Sequence, residues 1–304
     1  MRTYRFFQVD VFTDTPFGGN PLAVFPEAEG LSDREMQQLA KEMNLSETTF
    51  VLPPVDPRAD FKVRIFTPGA EVPFAGHPVL GTHFVLAQLG RIRLQAPVTR
   101  IHQEIKIGVL PVDLYVRDGR VERVVMTQGH PKFLAEFKDI PQLAAALSIE
   151  PHEIASMGLP AQVVSTGLPQ LMIPVRSLQA VQHAAPNVAA LLEIGPALGT
   201  DCFMLWTRET LSPRNTIHTR MFAPGLGILE DPATGSANGG LGAYLIQYGV
   251  IPPGQPTAAM TSEQGYEIDR PSTVYIEVDG APNAIAQVRV GGQVAPLIEG
   301  TVRL

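Results

Sequence analysis

The chain has 304 residues, 45% hydrophobic and 17% charged, with 27 Gly, 28 Pro and a formal net charge of −7. That length allows two domains of ordinary size, each able to bury a core of its own. An acidic balance without a Lys/Arg cluster argues against nucleic acid or an anionic membrane as partner, and no run approaches the ~18 apolar residues of a membrane helix.

The N-terminus, MRTYRFFQVDVFTD, carries Asp10 and Asp14 where a signal peptide would need an apolar core, so the cytoplasm is the expected location. FFQVDVF, PLAVF, TTFVL and FKVRIF read as strands, being rich in β-branched and aromatic residues. Between them, residues 32–44 (SDREMQQLAKEMN) read as a helix. Ser32 is the candidate N-cap, Glu35 completes a capping box, and Met36, Leu39, Ala40 and Met43 share one face. PVLGTHFVLAQLG (78–90) is apolar nearly throughout and stops at Gly90, as expected of a helix buried on all sides. Residues 104–126 read as strands turning at Asp118-Gly119. Cys202, in the strand-like DCFMLW, is the single cysteine and reads as a small buried hydrophobe. GGLGAYLIQYG (239–249) is a second apolar helix, and the last third reads as more strands.

The chain also repeats itself once. Aligning Gly90 with Gly249 matches EVPFAGHPVLGTHFVL (71–86) with EDPATGSANGGLGAYL (230–245) at Glu, Pro, two Gly and Leu. Just upstream, Arg64, Phe66, Pro68 and Gly69 match Arg220, Phe222, Pro224 and Gly225, and the second copy is three residues longer before its turn. GGNPLAVF (18–25) resembles TGLPQLMIPV (166–175). The period is too long for a solenoid and implies two similar domains, with the site expected at their seam. The expected fold is therefore α+β: two pseudo-symmetric halves, each a curved, mostly antiparallel sheet around a central helix. The boundary is placed near 118, giving halves of 1–118 and 119–304.

Gly76-His77 and Gly235-Ser236 would each open a central helix. A helix start presents unpaired N–H groups and a positive dipole end, and Gly admits close approach of a ligand, so both starts are candidate anion pockets. Asp231 stands at the rim of the second turn, where it also reads as a carboxylate complementing the helix dipole. Glu47, between Ser46 and Thr48-Thr49-Phe50, reads either as a solvated loop carboxylate or as a partly buried acid suited to proton transfer. His77 reads as a capping or structural histidine as readily as a catalytic one. The other histidines are scattered without metal-ligand spacing, and no nucleotide-binding or nucleophile-elbow motif is present, so no metal or cofactor is implied.

VDVFTDTPFGGNPLAVF near the start, LSETTFV (45–51), FTPGAEVPFAGHPVLG (66–81) and EDPATGSA (230–237) together resemble the phenazine-biosynthesis PhzF-like family, which has the diaminopimelate epimerase fold. The resemblance runs through nearly the whole chain. It implies that the final strand, 290–304, crosses back to the first half. Related epimerases place a cysteine at each of the two turns. Neither turn has one here, which excludes two-thiol racemisation. The resemblance implies instead a cofactor-independent isomerase that moves a proton between carbons of a small carboxylated, amino-acid-like substrate. Glu47 would be the general acid/base and His77 and Asp231 its assistants. Asn20, Ser46, Gly76, Gly235 and Ser236 would contact the substrate. Homodimers are common in the family. The competing expectation is a non-catalytic binding or interaction module on the same fold.

Overall fold

Strand β1 (Thr3–Val11) runs antiparallel to β2 (Asn20–Phe25), with Val11 opposite Asn20. The computed structural model describes residues 1–304. Its first unit comprises Met1–Thr127 with Gly291–Leu304, and its second comprises Gln128–Val290.

In the first unit, helix α1 (Asp33–Met43) carries the chain from β2 to a parallel β3 (Glu47–Leu52). The capping box forms: Ser32 Oγ accepts from Glu35 N–H, and Ser32 N–H donates to Glu35 Oε2 at 2.8 Å. Asn44, left-handed at φ 52°, closes the helix. Strand β4 (Phe61–Phe66) is antiparallel to β3 and to the short β5 (Glu71–Val72). Helix α2 (Gly76–Gln88) then crosses to β6 (Val98–Ile105), parallel to β4. Strands β7 (Gly108–Arg117) and β8 (Arg120–Thr127) complete a meander, turning at Asp118 and Gly119, both at positive φ as a type I′ turn requires. The C-terminal strand, Val294–Arg303, pairs antiparallel with β1. Residue 118 is thus a hairpin tip. The units part nine residues later, because β8 stays paired with β7 up to Met126.

Helix α2 is buried from Gly76 to Ala87 and packs on β1, β2, β3, β7, β8 and the C-terminal strand, so the sheet wraps around it. Gly81 permits this contact. A Cβ there would lie 2.6 Å from Leu22 Cδ2 and 2.9 Å from Val11 Cγ2. The sheet's other face meets α1 through Met36, Leu39 and Ala40 against Phe25, Phe50 and Phe66, with Phe25 and Phe50 stacked at 5.0 Å.

The second unit repeats this order. It opens with β9 (Lys132–Phe137), then α3 (Ile140–Leu147) and α4 (Pro151–Ala155). Antiparallel β10 (Ala161–Ser165) and β11 (Pro169–Pro174) follow, then α5 (Leu178–His183) and α6 (Val188–Leu198). Strand β12 (Phe203–Thr207) is parallel to β11, β13 (Ile217–Ala223) antiparallel to β12, and β14 (Ile228–Asp231) antiparallel to β13. Helix α7 (Gly235–Gln247) crosses to β15 (Thr257–Gln264), parallel to β13, and β16 (Ser272–Ala281) and β17 (Ala284–Gly292) follow. From β10 on, each strand has its counterpart from β1 to β8, and β9 pairs with β10 as the C-terminal strand pairs with β1. Helices α3 to α6 stand where the first unit has only α1, and they cover the sheet with a core that includes Leu143, Leu147, Leu191, Leu198 and Phe222.

Duplication extends to single hydrogen bonds. Glu104 on β6 stands opposite Lys62 and accepts from the N–H groups of Val55 and Asp56. Glu263 on β15 stands opposite His218 and accepts from Leu211 and Ser212. In both units a carboxylate from a crossover strand clamps the same loop.

Candidate active site

The β2–β3 register builds the first unit's site. Parallel pairing sets Glu47 opposite Leu22, two residues from Asn20 at the start of β2. Gly19, at φ +60°, turns the chain into β2 so tightly that a Cβ would strike the Val11 carbonyl. Asn20 is fully buried, and its Oδ1 accepts from Ser46 Oγ at 2.9 Å. These two predicted substrate contacts therefore bond to each other and fix the entry to β3.

Glu47 Oε2 lies 3.3 Å from His77 Nε2, with 14% and 7% of the two side chains exposed. Burial pushes His77 down to about 3, so the ring is neutral, and the contact joins a carboxyl to a neutral imidazole rather than forming an ion pair. His77 is the second residue of α2. That helix starts at Gly76 with no side-chain cap on its N-terminus and no acidic residue in its first turn. Its dipole and unpaired N–H groups therefore sit beside the Glu47–His77 pair. Behind them, Thr49 Oγ1 meets Thr82 Oγ1 at 2.8 Å, and His83 Nδ1 meets the Val79 carbonyl at 2.7 Å.

In the second unit, α7 also starts without a side-chain cap. Ser236 Oγ accepts from Gln170 Nε2 at 2.8 Å, the Gly235 carbonyl accepts from Gln128 Nε2 at 3.0 Å, and Thr166 Oγ1 donates to Gln128 Oε1. Asp231, the last residue of β14, accepts at Oδ2 from Thr234 Oγ1. Gln128, Thr166 and Gln170 were not among the sequence candidates. Gln170 does carry a signal: it puts a buried amide in the strand of TGLPQL where GGNPLAVF has Leu22.

The repeat shows which residues of the second unit occupy the positions equivalent to Glu47 and His77. Phe50 faces Arg64 in one ladder and Leu205 faces Arg220 in the other, so Glu47 corresponds to Cys202, and His77 to Ser236. Cys202 is 2% exposed, and burial pushes its thiol up to about 12. The second unit thus has a buried thiol and a hydroxyl where the first has a carboxyl–imidazole pair. A groove of about 610 Å³ on the first unit does not include that pair. Two of its cations are neutralised, Lys62 by Glu104 and Arg64 by Glu71. No three His, Cys, Asp or Glu side chains gather closely enough to hold a metal ion, and no helix is long and apolar enough to cross a membrane.

A family profile described as phenazine biosynthesis-like protein matches residues 9–300. The trans-2,3-dihydro-3-hydroxyanthranilate isomerase of Pseudomonas aeruginosa is 36% identical over 301 residues, 99% of this chain and 100% of that one. An uncharacterized isomerase of Clostridium acetobutylicum is 34% identical over 96% of this chain and 95% of its own. Among solved structures, a PhzF-family phenazine biosynthesis protein of Bacillus anthracis covers 100% of both chains, with a TM-score of 0.91 and 29% identity. A hydroxyproline epimerase of Agrobacterium vitis shares the fold at a TM-score of 0.67 and 16% identity, covering 99% of this chain and 92% of its own. Motifs, duplicated topology and relatives agree along nearly all of the sequence: the chain belongs to the phenazine biosynthesis-like, or PhzF, family and is an isomerase of that kind.

Proposed function

We propose that the protein moves a proton between carbons of a small carboxylated, amino-acid-like substrate, with Glu47 as the single general acid/base. The observation that carries this reading is the asymmetry of the duplicated positions: Glu47 and His77 in one unit, an inert thiol and a hydroxyl in the other. The Glu47 carboxyl gives a proton to one carbon and takes one from another on the same face, exchanging with solvent as it does so. His77, neutral and 3.3 Å from Oε2, fixes the position of the carboxyl as it changes protonation state. The start of α2, at Gly76, stabilises negative charge that develops on the substrate. The start of α7, at Gly235 and Ser236, is assigned to a carboxylate, and Asp231 to an amino group.

The first substrate to try is trans-2,3-dihydro-3-hydroxyanthranilate, named for the relative from P. aeruginosa. Glu47→Gln keeps the shape and removes the titrating group, so turnover should fall about 10²–10⁴-fold. Undiminished turnover in Glu47→Gln would be decisive against this assignment, and Asp231 would be the next base to test.

A further inference from the structure

The turn that opens α7 carries a polar set that its duplicate lacks. Asp231, Thr234 and Asn238 align with Val72, Ala75 and Val79 when Gly235 is matched to Gly76. Gln264 corresponds to Ile105, because the residues before them, Glu263 and Glu104, stand opposite His218 and Lys62. All four counterparts are apolar. In the first unit Val72 and Ala75 pack with Ile105, and α2 begins normally. The turn therefore folds without any of these polar groups.

In the second unit the four side chains form one connected network. Gln264 is fully buried. Its Oε1 accepts from Thr234 N–H at 3.1 Å and from Asn238 Nδ2 at 2.9 Å. Its Nε2 donates to the Asp231 carbonyl at 2.7 Å and to Thr234 Oγ1 at 3.0 Å. Asn238 Nδ2 also donates to the Thr234 carbonyl at 3.0 Å. Two donors on Oε1 fix which way the Gln264 amide faces. With Nε2–H aimed at its oxygen, the Thr234 hydroxyl accepts there and turns its own proton to Asp231 Oδ2. The buried Gln264 amide is satisfied at both its oxygen and its nitrogen. An apolar set already serves the turn in the first unit, so folding alone does not call for this one.

We infer that Gln264, acting through Thr234, is a positioning residue for the Asp231 carboxylate. It holds the carboxylate in one orientation with a fixed hydrogen bond on Oδ2. The inference rests on the reading of Asp231 as a substrate-contacting group.

The test uses the full chain with trans-2,3-dihydro-3-hydroxyanthranilate, and compares Thr234→Val, Thr234→Ser, Gln264→Leu and Asp231→Asn, singly and in pairs with Asp231→Asn. A hydrogen bond to a charged group predicts a fall in kcat/KM of about 10–100-fold for Thr234→Val and for Gln264→Leu. Thr234→Ser, which keeps the hydroxyl, should stay within about 3-fold of the parent protein. In the Asp231→Asn background neither Thr234→Val nor Gln264→Leu should cost anything further. A structural role would leave their cost intact there, and that additivity overturns the inference. So does parent-level activity in Thr234→Val when Asp231→Asn is impaired. Parent-level activity in Asp231→Asn instead removes the reading of Asp231, and the inference with it. Crystal structures of Thr234→Val and Gln264→Leu give a readout without substrate: the Asp231 carboxylate is expected to rotate away from residue 234, and an unmoved Asp231 in both overturns the inference.

Discussion

His77 and His83 lie on one buried helix, and burial holds both rings neutral, at about 3 and about 4. An unfolded histidine titrates near 6.5. Below that pH the unfolded chain binds protons that the folded chain refuses, so stability falls as pH drops from about 6.5 towards 4, by about 1.4 kcal/mol per pH unit for each ring. His218 acts in the opposite window. Burial opposes its charge, but bonds to Glu263 and Glu267, both at 2.9 Å, outweigh that and raise it. Its contribution is complete below about pH 6.5 and is lost as pH rises through the folded value. Urea unfolding followed from pH 4 to 9 should therefore show a maximum near 6.5, and His83→Gln should flatten the acid limb by the share of one proton. An acid limb unchanged in His83→Gln would contradict the assignment. Cys202 offers a second residue-scale prediction. Native protein at pH 8 should resist thiol alkylation, and urea should expose the group. Rapid labelling of the folded chain would show that the thiol is not shielded.

The two central helices are held by contacts that tolerate little change. Gly81→Ala forces a methyl against Leu22 and Val11 and should cost about 1–3 kcal/mol, read as a lowered Tm. Both turns are also tied by an arginine. Arg64 grips Glu71 through two bonds and Asp33 through a third, but Asp33 is 84% exposed. Arg220 grips Glu230 and also donates to the carbonyls of Val181, Gln182 and Ala184 at the end of α5, with under 10% of either charged side chain exposed. Arg220→Ala should therefore cost about 3–5 kcal/mol and Arg64→Ala less. Equal losses in calorimetry would contradict the ranking. Legibility differs between elements in the same way. The Ser32–Glu35 box and the Asp118-Gly119 turn are local chemistry and read directly from sequence. Helices α3 to α6 do not: α4 and α5 have five and six residues, and VAALLEIGPAL in α6 is apolar nearly all round, so no period marks a face.

At the scale of the whole chain, the duplication explains both what the sequence reveals and what it conceals. Matched glycines and prolines mark the two turns, because backbone geometry restricts which residues serve there. The loop clamps and the Cys202–Glu47 correspondence depend on ladder register between distant strands, which spacing alone does not supply. Glu47 itself looks like an ordinary loop acid until β2–β3 pairing brings it beside His77, so its role rests on the family motif until that register is known. Asp231 and Ser236 are legible as a turn, but the amides that hold them come from β11 and β15. The central claim is that only the Glu47 side of the duplicated pair moves protons. Deuterium incorporation from D₂O tests it most directly, followed by proton NMR on trans-2,3-dihydro-3-hydroxyanthranilate with the parent protein, Cys202→Ala and Glu47→Gln. The account predicts incorporation by the parent and by Cys202→Ala at similar rates, and background only with Glu47→Gln. Incorporation that survives in Glu47→Gln, or that disappears in folded Cys202→Ala, would contradict it.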